Sequence, residues 1–294
     1  TDSVNNYWAA EGEMQVGKPG DSVTYIRFES ATDGSTASSY AVAIAGPKGD
    51  NAGTSFYDVQ AKHNLLGDSG DGAKIQAAHD AAPVGSTLVF PAITCPITTT
   101  LNFTRNLSYL FLGTSFEFNL ADNTKDGINF SPSLESPYDG IRVKTFDGLR
   151  FSFTGPGRHG ININGTNAAI QNNFKNIIGG CGPSSVGYAI RSGGSGPHWN
   201  KFETCFLGTR GILDESADGN EYEKCGFYGT IGILLNKVSG AFQTSINGCF
   251  FSMGGMGVFV QQGENIQIYN NSFEHGSAFV APVLPADGVT SLNY

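Results

Sequence analysis

Phe202-Glu-Thr-Cys205-Phe206, Tyr222-Glu-Lys-Cys225-Gly-Phe227, Ile246-Asn-Gly-Cys249-Phe250 and Tyr269-Asn-Asn-Ser272-Phe273 are four versions of one phrase. An aromatic or aliphatic residue is followed by two spacers, then Cys or Ser, then Phe within two residues. The Cys or Ser positions 205, 225, 249 and 272 are spaced by 20, 24 and 23 residues, and self-similarity at such a period marks stacked repeat units. A second phrase keeps the same beat. Gly211-Ile212, Gly232-Ile233 and Gly257-Val258 each follow the Cys position by six to eight residues. The runs between these anchors, such as Gly232-Ile-Leu-Leu235, are only long enough for strands and are bounded by Gly, Asn and Ser. A coil of about 22 residues with three short strands and three turns is a parallel β-helix, in which each coil buries its inward residues against its neighbours. Equivalent positions then stack in columns about 4.8 Å apart.

Composition agrees with an all-β solenoid. Forty Gly, 21 Phe, three Met and 15% charged residues in a chain of 294 describe many turns around a wide apolar interior. No run of about 18 apolar residues is present to span a membrane, and no signal-peptide pattern opens the chain at Thr1. It reads as soluble. The formal net charge of −9 argues against nucleic acid as a partner, because phosphate binding needs a basic surface. Five Cys occur without any Cys-x-x-Cys pair. They are expected to be free thiols, with Cys205, Cys225 and Cys249 in an inert core column and no metal centre.

Residues 1–54 lack the beat and end in Gly46-Pro-Lys-Gly49-Asp-Asn-Ala-Gly53, a short collagen-like run. Too brief for a triple helix by itself, it is read as the linker of an N-terminal connector or anchoring segment. A β-helix is expected over 55–280, with a capping helix near 73–82, and an irregular segment over 281–294.

Phe56-Tyr-Asp-Val59, then Gly67-Asp-Ser-Gly-Asp-Gly72-Ala-Lys-Ile75-Gln-Ala-Ala78-His-Asp-Ala-Ala82-Pro83, then Thr87-Leu-Val-Phe90-Pro91, resembles the entry to the pectate-lyase-type right-handed β-helices of bacteriophage tailspikes. In that family an extended strand, a Gly-Asp-Gly turn and a short amphipathic helix close the open end of the stack, where an uncovered coil would expose both core and sheet edge. Here Ile75, Ala78 and Ala82 fall on one helical face and Pro83 stops the helix. The chain departs from the family in carrying Ala73-Lys74 where an acidic pair often stands, and Pro91-Ala-Ile-Thr94 after the strand. The match is specific for fold over Phe56 to about Leu101 and brings no shared catalytic motif with it.

The resemblance implies a homotrimer in the phage tail, joined to other tail proteins through its N-terminal segment. It implies a module that binds, and often cuts, a bacterial surface polysaccharide such as capsule or O-antigen. Any chemistry must be sought on outward columns. Glycoside hydrolysis uses two carboxylates, roughly 5 to 5.5 Å apart for retention. The repeat puts Glu203 and Glu223 in one column, continued by Asn247 and Asn270, and they are the first catalytic candidates. Asp214 and Glu215, with Asp218 and Glu221 in the same loop, form a second acidic cluster, and Glu274-His275 adds a third carboxylate beside a group titrating near neutrality. Arg191, His198, Trp199, Arg210 and His275 are the candidate substrate-binding residues, with Arg158 and His159 nearby in composition. Such cations would neutralise an acidic sugar in a lyase, and Trp199 offers a platform for a sugar face. No phosphate loop, dinucleotide fingerprint or zinc-protease motif occurs, so no cofactor is expected. The reading is polysaccharide hydrolysis first, with a non-enzymatic receptor-binding or structural shaft, and a lyase, as alternatives. The chain is short for a complete depolymerase, and further catalytic coils or a trimerising domain beyond Tyr294 would complete one.

Overall fold

In a computed structural model of the chain, the described residues are 23–27, 41–45, 56–132, 144–164, 170–193, 198–216, 219–237, 244–263, 265–274 and 278–280. The chain divides into two compact units, Thr1–Ser55 and Phe56–Tyr294. In the first, Val23–Arg27 pairs antiparallel with Ala41–Ala45. The collagen-like run over 46–53 and the segment 281–294 lie outside the described residues.

The second unit is a parallel β-helix. Its first sheet has nine strands, Phe56–Asp58, Thr87–Phe90, Ser108–Phe111, Lys144–Asp147, Ile170–Lys175, His198–Glu203, Glu221–Glu223, Thr244–Asn247 and Ile266–Tyr269, each lying parallel on the one before. A second sheet carries the rest of each coil. In the early coils it is two separate strands per turn, as in Arg150–Phe153 and Ile161–Asn164. In the later coils these merge into the single bent strands Phe206–Asp214, Gly226–Asn236 and Phe250–Gln262.

Alternation along each strand decides what stacks inside. In the first sheet the inward column runs Leu88, Tyr109, Phe146, Phe174, Phe202, Tyr222, Ile246 and Ile268. Its rings stack at centroid separations of 5.1 Å for Phe174–Phe202 and 5.2 Å for Phe202–Tyr222. A second inward column, Leu101, Ile128, Ile161, Ile190, Ile212, Ile233 and Val258, explains the Gly-aliphatic phrase. The glycine before Ile128, Ile161, Ile212, Ile233 and Val258 sits where coils approach closely. A Cβ on Gly232 would lie 2.4 Å from the Gly257 carbonyl oxygen and 2.7 Å from the Phe251 ring.

From Ser108–Phe111 onward the described coils leave the first sheet through one left-handed residue: Gly113, Gly148, Asn176, Thr204, Lys224, Gly248 or Asn270. Thr204 and Lys224 hold φ of 56° and 54°, a conformation that costs an ordinary residue roughly 1–2 kcal/mol and persists only where the surrounding coils fix it. The next residue turns back inward, and there the cysteines stand. Cys205, Cys225 and Cys249 are buried free thiols that donate to the carbonyls of Phe174, Phe202 and Tyr222 in the preceding coil. Hydrogen bonding between neighbouring thiols, together with burial, pushes Cys225 and Cys249 well up, so neither ionises. Leu149 and Ile177 fill the same place in earlier coils.

The last repeat differs from the expected register. Ile246 pairs with Ile268, Asn247 with Tyr269, and Phe250 with Ser272. Asn271 therefore takes the cysteine place, and Tyr269 rather than Asn270 continues the Glu203–Glu223–Asn247 column. Tyr269 imitates the aromatic anchor of the earlier phrases, but the side-chain period of two turns a one-residue slip into a change of face. Asn271 closes the coil differently, accepting from the Cys249 N–H at 2.8 Å and donating to the Ile246 carbonyl at 2.9 Å.

The capping helix runs Asp71–Ala81, two residues earlier than expected, with Ala82 as its extended C-cap. Ile75, Ala78 and Ala82 are buried on the core. Asp71 starts the helix earlier because its carboxylate accepts the N–H groups of Leu66 and Gly67 at 3.0 and 2.7 Å, and Lys74, in place of a family acid, pairs with it at 3.1 Å. A short helix that the sequence did not announce, Val59–His63, precedes it, capped by the Asp58 side chain on the Ala61 N–H.

Candidate functional site

Three strands of the second sheet, Leu101–Phe103, Ile128–Phe130 and Ile161–Asn164, share the pattern apolar–Asn–apolar. Their apolar residues point in, so Asn102, Asn129 and Asn162 stack on the outer face in register. Asn129 donates to Asn102 Oδ1 at 3.1 Å, and Asn162 donates to Asp126 Oδ2 at 2.8 Å. Arg191 follows in the column and donates to Asn162 Oδ1 at 3.0 Å. Beside this ladder opens a cleft of about 440 Å³, lined by Asn102, Asn129, Asn162 and Asn164, by the Thr and Ser side chains of the adjoining turns, and by Lys125, Asp126 and Arg158.

The charges in the cleft are arranged rather than scattered. Arg158 grips Asp126 through Nε and Nη2, both at 2.9 Å, and Asp126 also accepts the His159 N–H at 3.3 Å. A bidentate pair of this kind fixes both side chains as well as neutralising them. Lys125 is exposed and forms no ion pair among the described residues. The capping helix braces the lower end. Gln76 bonds both backbone groups of Asn102, at 2.8 and 3.0 Å, and His79 Nε2 accepts the N–H groups of Thr104 and Arg105 at 3.0 and 3.3 Å.

His79 makes the brace pH-dependent. Since Nε2 accepts, the proton sits on Nδ1 and faces the Tyr109 hydroxyl at 3.0 Å. The residue is fully buried, stacked on Phe103, and burial lowers its pKa to about 4, with Asp80 opposing and Arg105 adding to the shift. An unfolded histidine titrates near 6.5. The unfolded chain therefore binds the proton first, and stability that is complete above about pH 6.5 falls as pH drops toward 4, by about 3 kcal/mol from this residue alone. His159, also buried and depressed, adds in the same direction. Urea midpoints measured across that range should fall with acid in the native chain and fall less in His79→Gln.

The expected site residues occupy several places. Glu203 and Glu223 are in register on the outer face of the first sheet, and Trp199, 40% exposed, shares that face on the same strand as Glu203. Lysines separate the acids: Lys175 meets Glu203 at 3.1 Å, while Lys201 and Lys224 meet Glu223 at 2.6 and 3.1 Å. The hydrogen bonds from Lys201 and Lys224 hold the Glu223 carboxyl below the usual range. His198 lies on the Trp199 strand, and its side chain is outside the described residues, as are Asp218 and His275. Glu274 is exposed at the end of Ser272–Glu274, opposite Ser252. Arg210 lies over the Tyr188 ring at 5.7 Å and donates to the Ser185 carbonyl.

Asp214 and Glu215, adjacent in sequence, part company. Glu215 faces out and receives Arg191 Nε at 2.8 Å, which joins both to the upper end of the asparagine ladder. Asp214 points inward, fully buried with Lys237, its carboxylate 3.1 Å from Lys237 Nζ and 2.7 Å from both the Tyr222 and Ser216 hydroxyls. It is a core residue, out of reach of any polymer. The repeat held the warning: Asp214 stands third after Gly211, as Leu235 does after Gly232 and Val260 after Gly257. The asparagine ladder was also legible as the thrice-repeated apolar–Asn–apolar phrase at 101–103, 128–130 and 161–163, whereas Asp126, which anchors it from a turn, carries no pattern.

Among the described residues no group of three His, Cys, Asp or Glu side chains is placed to hold a metal ion, and no helix is long and apolar enough to cross a membrane. No protein-family model and no curated protein sequence matches the chain. Among solved structures it is similar to tailspike protein 3 of bacteriophage CBA120, at 11% identity and a TM-score of 0.42, over 84% of this chain and 48% of that one. It is similar to the ORF18 protein of Geobacillus virus E2, at 12% identity and a TM-score of 0.36, over 77% of this chain and 61% of that one. A candidate glycosyl hydrolase from Parabacteroides merdae is similar at 12% identity and a TM-score of 0.25, over 80% of this chain and 97% of that one. The chain thus spans about half and about three fifths of the length of the two phage proteins.

Proposed function

We propose that this chain is the β-helical part of a phage tailspike or tail fibre and binds a bacterial surface polysaccharide through the asparagine cleft. The observation that carries the reading is the lining of that cleft: side chains that donate and accept hydrogen bonds, held on rigid in-register strands, which is what a hydroxyl-rich polymer requires of a site. The tailspike-like cap at residues 56–101 supports the virion tail as its location. The homotrimer belongs to the same proposal. Ile178, Phe206 and Tyr228, each more than 40% exposed on the outer face of the second sheet, are apolar surface that an assembly of copies would cover. Attachment to other tail proteins would fall to residues 1–54.

Glycoside hydrolysis is the second reading, favoured by the register of Glu203 and Glu223. In-register neighbours lie about one strand spacing apart, close to the separation a retaining enzyme uses. Glu223, held ionised by its lysines, suits the nucleophile, which leaves Glu203 as the acid. Elimination would instead draw on Arg158, Arg191 and Arg210.

The test is retention on a panel of bacterial capsular and O-antigen polysaccharides, with polymer size and product mass followed over time. Asn129→Ala, a change on a half-buried outer position, is expected to weaken retention about tenfold while leaving the urea midpoint nearly unchanged. Equal retention by this variant would remove the cleft from the reading. Shortened products that have gained water, lost again in Glu203→Gln and Glu223→Gln, would establish the hydrolase. Unsaturated ends would establish the lyase.

A further inference from the structure

We infer that the polysaccharide is acidic, and that the cleft takes a sugar carboxylate at Lys125 and the free edge of Arg158; this rests on the binding role proposed above. The one acidic side chain lining the cleft, Asp126, has both oxygens occupied, by Arg158, Asn162 and the His159 N–H. It is 5% exposed and offers a ligand little negative charge. Lys125, by contrast, stands exposed at the rim without an ion pair among the described residues. Asp122, three residues before it on the same turn, turns its carboxylate to the Thr124 N–H and hydroxyl and feels the Lys125 charge without forming an ion pair with it.

Arg158 donates Nε and Nη2 to Asp126, and its side chain remains 33% exposed, so its remaining N–H groups are available to a second planar anion. The cleft therefore carries one cation more than its acids, on a chain whose net charge is −9. An anionic polymer is repelled by the field of the rest of the molecule, and a local positive site is what offsets that repulsion at the cleft. The backbone holds the two cations side by side: the Arg158 N–H donates to the Lys125 carbonyl at 2.7 Å, which ties the two turns of successive coils together. A sugar ring lying along Asn102, Asn129 and Asn162 would meet amides, and its carboxylate would meet the two cations. Neutral hydroxyls would leave Lys125 without a countercharge from the ligand.

The experiment uses the full chain on an array of bacterial capsular and O-antigen polysaccharides, each printed in native form and after reduction of its carboxyl groups to alcohols. Retention confined to acidic polymers, lost on carboxyl reduction, weakened by salt and reduced about tenfold in Lys125→Gln is the expected result. Lys125 is exposed on a turn, so this variant keeps the fold, and an unchanged urea midpoint checks that it does. Retention of neutral polymers, or undiminished retention after carboxyl reduction, overturns the acidic specificity and leaves the binding role standing. Retention of no glycan at all overturns both.

Discussion

Replacing Lys237 by Met is expected to remove about 3–5 kcal/mol of unfolding free energy, the cost of leaving one member of a buried ion pair alone. Asp214 and Lys237 are both fully buried, their charges 3.1 Å apart. The column that holds Asp214 is otherwise Phe103, Phe130, Ile163, Ser192, Leu235 and Val260. Around the pair lies a small polar chamber. Ser216 gives Asp214 Oδ1 both its N–H and its hydroxyl, Tyr222 gives Oδ2 its phenol, and Asn220 bonds Ser216 and Ser192. Without the ammonium, the carboxylate retains these hydrogen bonds but no countercharge. The double variant Asp214→Leu with Lys237→Met is expected to be more stable than Lys237→Met alone, because Leu is what the next coil carries at that place. Urea unfolding of the two single variants and the double variant isolates the coupling. A Lys237→Met midpoint equal to that of the native chain would show that the pair is not desolvated as described.

Phe174→Ala should cost a similar amount, about 3–5 kcal/mol, by a different route. Phe174 is fully buried in the middle of the first-sheet column. It stacks on Phe202 at 5.1 Å and 14°, tilts against Phe146 at 5.8 Å and meets Phe130 edge-on at 5.6 Å. Strands hydrogen-bonded above and below cannot collapse inward to fill the space, so most of the cavity would persist. In a solenoid each coil is held by its neighbours. The loss should therefore appear as weakened protection of the strands Lys144–Asp147 and His198–Glu203 as well as Ile170–Lys175 in amide exchange. Protection lost only at Ile170–Lys175 would mean that the coils are not coupled through this stack. The same change at Phe206, which faces outward and is 42% exposed, should cost far less.

Phe202 and Phe206 divide what sequence and structure each decide. Phe202 and Phe206 belong to one repeated phrase, and alternation across the intervening turn puts the first inside and the second outside. The repeat, the glycine before each Ile or Val, and the Gly-Asp-Gly entry to the capping helix follow from local rules: strand length, turn residues, helix stop signals. They were legible because a coil uses the same few positions each time. Where residue types changed while the place in the coil stayed the same, legibility was lost. Leu149 and Ile177 continue the cysteine column unseen, and Asn271 ends it one residue before the Ser that imitates it.

The candidate site was legible only in part. The stacking of Glu203 on Glu223 follows from the period, but the lysines that neutralise them come from Lys175 one coil earlier, Lys201 on the facing strand and Lys224 at a left-handed turn. Asp126 and Arg158 are 32 residues apart and share no pattern. Their meeting depends on two turns from successive coils being brought side by side. By itself the sequence determined the stacked-coil architecture, the capped entry and the inward columns, because these depend on side-chain alternation and turn chemistry within about 25 residues. Only the tertiary structure decided that Asp214 is a core ion and that the Asp126–Arg158 clamp and the exposed Lys125 meet beside the asparagine ladder in one cleft. Charge pairing and burial depend on neighbours that the chain reaches after a full coil or more.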